Sequence, residues 1–181
     1  PIWRDKGVHT LFEFKLVKTD KDPLKQTFPL QDKGLSQSLI INMGTTKKSA
    51  GDKKNDVLKG IKNHISAYYK ETGASISSKE LSEKTNATIL SSESFTTNQG
   101  KEGEIYLMND IQTTQSDFII LLLIPGAASN TTSFVQFTYT HYTYETDLPE
   151  DMMEQKLFVY PDDQQTYVDF TKGILKTLRI Q

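Results

Sequence analysis

The chain has no cysteine. Disulfides, thiolate metal sites and thiol nucleophiles are therefore excluded in any compartment, and the absence does not choose between compartments. Long apolar runs are also lacking. The longest, Phe118 to Ile124, has seven residues and stops at Pro125-Gly126, well short of the ~20 that a membrane-spanning helix needs. It reads as a buried strand. Charge of one sign is scarce: a formal net charge of −2 over 181 residues sets up no field for a polyanion, so nucleic acid is not expected as a partner.

Catalytic signatures are missing as well. There is no GxSxG elbow, no SxxK, no GxxxxGKS/T and no GxGxxG loop, which removes the common serine-hydrolase, β-lactamase and nucleotide-binding classes. Gly100-Lys101-Glu102-Gly103 lies between two strand candidates and opens no helix, so it lacks the free amides that cradle phosphate and reads as a hairpin turn. His9, His64 and His141 are far apart, and none has a partner at HxH or HExxH spacing. No cofactor is expected, and the balance leans away from an enzyme.

What is present is the composition of a folded, water-soluble globule, with 36% hydrophobic and 24% charged residues. The length fits one domain over 1–181, with 1–9 as an extension. Phe12, Phe14 and Leu16 share one face of a strand candidate at Thr10 to Val17. A short edge strand fits between Pro23 and Pro29, and another strand at Ser38 to Asn42. The polar, lysine-rich stretch 44–54 reads as a flexible loop.

Val57, Ile61, Ile65 and Tyr68 then recur at helical spacing, with Asp52 or Asn55 placed to cap and Gly73 to end the helix. Ser75 to Lys84 is polar and has no clear period. Four strand candidates follow at Thr88–Thr97, Glu104–Ile111, Phe118–Ile124 and Ser133–Tyr144, joined by hairpin-length turns that make neighbours antiparallel. Tyr167, Phe170, Ile174 and Leu178 form the stripe of a final helix. A meander must bury at least one face, and two amphipathic helices are available to cover it. The expected fold is therefore α+β: a largely antiparallel sheet packed by two amphipathic helices in an α/β/α sandwich.

The candidate binding residues cluster late in the chain. Tyr139, Tyr142 and Tyr144 offer a half-exposed aromatic strip, with core packing as the alternative, and His141 shares their strand. Asp147, Glu150 and Asp151 belong to a run from Glu145 to Asp169 that carries eight carboxylates against Lys156 alone. Such density suits a basic partner or a hard cation, although the calcium-loop spacing is absent. Lys47, Lys48, Lys53, Lys54, Lys59 and Lys62 form an opposing basic stretch, suited to an acidic partner, an anionic membrane surface or simple solvation.

The helix at Asp56–Thr72, the turn Glu93-Ser94-Phe95-Thr96-Thr97-Asn98-Gln99-Gly100, the long antiparallel strands and the closing segment Phe170 to Leu178 together resemble the Mog1/PsbP-like α/β/α sandwich family, including DcrB-type bacterial envelope proteins. The resemblance spans roughly residues 10 to 181. It implies a non-catalytic accessory or binding protein of the cell envelope that docks a protein partner or complex. It also implies a periplasmic or membrane-anchored, lipoprotein-like location, through a segment ahead of Pro1. Two alternatives stand beside it: a cytosolic secretion chaperone, and an enzyme pairing His141 with a carboxylate between Asp147 and Asp163.

Overall fold

The computed structural model describes residues 24–32, 35–112, 115–128, 130–142 and 161–178. The extension at 1–9, the strand expected at Thr10–Val17 and the acidic residues of 145–160 lie outside that set.

Six strands build one sheet: β1 (Leu24–Asp32), β2 (Leu35–Thr46), β3 (Ile89–Thr96), β4 (Glu102–Ile111), β5 (Gln115–Pro125) and β6 (Thr132–Tyr142). Among the described residues three helices accompany them: α1 (Ala50–Glu71), α2 (Ser78–Ala87) and α3 (Pro161–Thr177). The strand order is β1-β2-β6-β5-β4-β3, and every neighbouring pair is antiparallel. Short connections impose this on β3 to β6, because two strands joined by a tight turn must run in opposite directions. β2 pairs with the outer side of β6, so α1 and α2 carry the chain from β2 to the far edge at β3.

The apolar run at the centre explains the layering. Every residue of β5 from Ser116 to Ile124 is buried, and alternate side chains point to opposite faces. Phe118, Ile120, Leu122 and Ile124 join Leu39, Ile41, Ile105, Val135 and Phe137 beneath Val168, Ile174 and Leu175 of α3. Ile119, Leu121 and Leu123 join Met108 and Phe134 beneath Ile61 and Ile65 of α1, with Leu81 of α2 packed alongside. Helices thus cover both faces, and the fold is an α+β sandwich of three layers. Each fully buried Leu, Ile or Phe contributes about 1.5–3 kcal/mol, so β5 anchors both cores at once.

Local chemistry sets the boundaries. Gly73, at φ +73°, follows the end of α1 in the left-handed conformation that glycine tolerates without strain. Gly103 has a different reason: a Cβ there would meet the carbonyl oxygen of Leu123 at 2.4 Å, so β4 and β5 approach too closely for a side chain. The loop expected over 44–54 is only a short connection. β2 continues to Thr46 because Gly44, Thr45 and Thr46 pair with Phe134, Ser133 and Thr132 of β6, and this pairing overrides their turn propensity. α1 then starts at Ala50, capped by Ser49, whose hydroxyl accepts from the Asp52 amide at 3.1 Å. The cap is therefore Ser49 in place of Asp52 or Asn55.

Candidate functional site

Three titratable side chains meet at one end of the sheet, on the face that α1 covers. Asp110 and Asp117 are direct partners across β4 and β5, and strand alternation puts them on the same side as Met108 and Ile119. His64 follows Ile61 by three residues and precedes Ile65 by one. It therefore sits beside the buried stripe of α1, within reach of the sheet.

His64 Nδ1 lies 2.7 Å from Asp110 Oδ2, with the imidazole side chain 43% exposed and the carboxylate only 5%. The second oxygen of Asp110, Oδ1, is buried without a hydrogen-bond partner. Gln112 Nε2 donates to Asp117 Oδ2 at 3.0 Å, and Gln115 Nε2 reaches the same carboxylate at 3.4 Å. Thr140 of β6 also hydrogen-bonds Asp117.

Burial pushes the Asp117 carboxyl up to about 6, with the nearby Asp110 charge raising it further and the Thr140 and Gln115 hydrogen bonds opposing. Burial also raises the Asp110 carboxyl, against the pull of His64. The arrangement can hold and release a proton at mild pH. Among the described residues no group of three or more His, Cys, Asp or Glu is arranged to hold a metal ion.

Of the tyrosine strip, the side chain of Tyr139 is described. Tyr139 is 2% exposed; its hydroxyl lies 2.7 Å from Thr171 of α3, and its ring stacks on Tyr167 at 4.2 Å. Tyr139 is thus a core residue, the packing alternative, and its phenol is shifted up by burial. His141 and Tyr142 fall in the last turns of β6, opposite Ser116 and Gln115, and their side chains lie outside the described set, as do Tyr144, Asp147, Glu150 and Asp151. Among the described residues a histidine does meet carboxylates, His64 with Asp110.

The lysine-rich stretch is not a uniform basic patch either. Lys53 and Lys54 lie on the sheet-facing side of α1, their ammonium groups 3.9 Å and 5.1 Å from the ring centroids of Phe134 and Tyr106. Burial lowers the Lys53 pKa. Lys48 pairs with Asp56 at 2.6 Å. Lys47, Lys48 and Lys59, with Asp52, Asp56 and Asn130, line a shallow cleft of about 520 Å³ at the start of α1. Opposite charges inside it leave little net attraction for an anion.

The third feature is an edge. Among the described residues β3 ends the sheet on one side, its residues 90–94 are all exposed and Phe95 is its one buried side chain. No family model matches the chain, and neither a curated protein nor a solved structure matches it significantly.

Proposed function

We propose that the protein is a non-catalytic binding module that takes an extended segment of a protein partner along the free edge of β3. The exposure of β3 carries this reading. An edge strand presents a row of unpaired N–H and C=O groups, and natural proteins blunt such rows with proline, lysine or a bulge. β1, at the opposite edge, contains Lys25 and Pro29. β3 contains neither residue, and its register shift is confined to the start, between Ile89 and Ser91.

Leu90 is 43% exposed, the one large apolar side chain left to solvent among the described residues. Glu93, the single charge on the strand, is held by Lys172 of α3. The remaining outward surface is Ser91, Ser92, Ser94 and Thr96, small enough for another backbone to approach. Strand addition draws its affinity from main-chain hydrogen bonds and its selectivity from side chains such as Leu90.

An envelope location belongs to the same proposal through the resemblance to Mog1/PsbP-like sandwiches. Recovery of the protein in the cytosolic fraction of its native cell contradicts that part. A stable homodimer in solution contradicts the envelope reading in favour of a secretion chaperone.

The docking claim is tested by blunting the edge. Ser92→Lys with Ser94→Lys places two exposed charges on β3 and leaves both cores untouched. The partner captured by the wild-type chain is expected to lose at least tenfold in affinity for this variant and to bind Lys59→Glu, on the outer side of α1, unchanged. Equal capture by the edge variant, or no reproducible partner for the wild type, overturns the reading.

A further inference from the structure

The edge reading makes no use of the titratable cluster that ties one helix to two strands. We propose that His64, Asp110 and Asp117 form a proton-operated clasp, in which one proton held between the two carboxylates fastens the middle of α1 to the sheet and its loss loosens that contact.

Geometry is the basis. Asp110 receives His64 on Oδ2 at 2.7 Å, and its Oδ1 is buried with no partner. Asp117 stands directly opposite on the adjoining strand, where Cβ atoms of an antiparallel pair lie about 4.5–5.5 Å apart. A protonated Asp117 carries an O–H donor, and the orphan oxygen of its cross-strand neighbour Asp110 is an open acceptor for it. With that proton, Asp110 accepts on both oxygens, from His64 and from Asp117. Without it, two carboxylates confront each other with Oδ1 unmatched, and like charges in a water-poor site repel.

The groups around the pair leave the proton as the balancing charge. α1 supplies His64, β4 supplies Asp110, β5 supplies Asp117 and Gln115, β6 supplies Thr140, and the β4–β5 turn supplies Gln112. Among the described residues, the charges acting on the two carboxylates are each other and His64, with no lysine or arginine. The clasp lies midway along α1, beside Ile61 and Ile65, the buried residues that hold the helix.

Amide hydrogen exchange of the full chain at pH 5 and pH 7.5, divided by the intrinsic rates, reads the clasp. Protection around Ile61 and Ile65 is expected to be about tenfold greater at pH 5, as follows from an ordinary carboxylate raised to about 6 by the fold. Asp117→Asn, which supplies an N–H donor at any pH, should keep the high protection at both. Unchanged wild-type protection, or a pH effect that persists in Asp117→Asn, overturns the proposal. A carbon-13 titration of the wild-type carboxylates needs no variant: an Asp117 midpoint near 6 supports the clasp, and one near 4 defeats it.

Discussion

Asp117 enters the sheet one residue ahead of Phe118, in a position that buries it while Asp110 stands opposite. A carboxyl whose folded pKa is raised favours the folded state when protonated. Its stabilisation is fully present below the ordinary carboxylate range and is lost as pH rises through about 6. Asp110, raised in the same direction, adds to the trend. The free energy of unfolding should fall by about 2 kcal/mol between pH 4 and pH 7.5 through Asp117 alone. Urea unfolding at the two pH values checks this: Asp117→Asn is expected to lose most of the slope, and a variant with the wild-type slope removes Asp117 as its source. Tyr139 shows the opposite use of burial. Its hydroxyl is matched by Thr171, so a polar group inside the core costs little.

Among the elements, α2 depends on its cap. It has little apolar surface to hold it, but Ser77 and Glu80 form a reciprocal capping box: the Ser77 hydroxyl accepts from the Glu80 amide at 3.2 Å, and the Ser77 amide donates to the Glu80 carboxylate at 3.0 Å. Ser77→Ala should lower stability by about 1 kcal/mol, seen as a lower urea midpoint with unchanged slope. A midpoint equal to wild type shows that packing, not the cap, holds α2. The same chemistry marks what the sequence made legible. The stripe Val57-Ile61-Ile65 and Gly73 announced α1, and the apolar run of β5 with hairpin-length turns around it announced β3 to β6. α2 stayed hidden because Leu81 is its lone apolar contact with the core, which leaves no period to detect. Its Ser-x-x-Glu box was the signal available. β2 extended past its reading because pairing with β6, a distant segment, decides the fate of Gly44 to Thr46.

For the whole molecule, the three-layer plan was readable from element order, since a central apolar strand needs cover on both faces. The candidate site was not. The meeting of Asp110 with Asp117 depends on the β4–β5 register, and that of His64 with Asp110 on where α1 crosses the sheet. Neither appears as sequence spacing. The lysine stretch misled for a related reason: Lys53 and Lys54 turn inward over aromatic rings, which a count of charges cannot reveal. The edge position of β3 among the described residues follows from strand order as well, because α1 and α2 carry the chain to the far side of the sheet.

That edge is tested most directly by photo-crosslinking in the native cell, with the reactive side chain placed at Ser92 or Ser94 on β3 and at exposed Asn63 on α1 as a control. A discrete protein adduct from both β3 positions, absent from Asn63, is the predicted result. No adduct from β3, or the same adduct from all three positions, contradicts it.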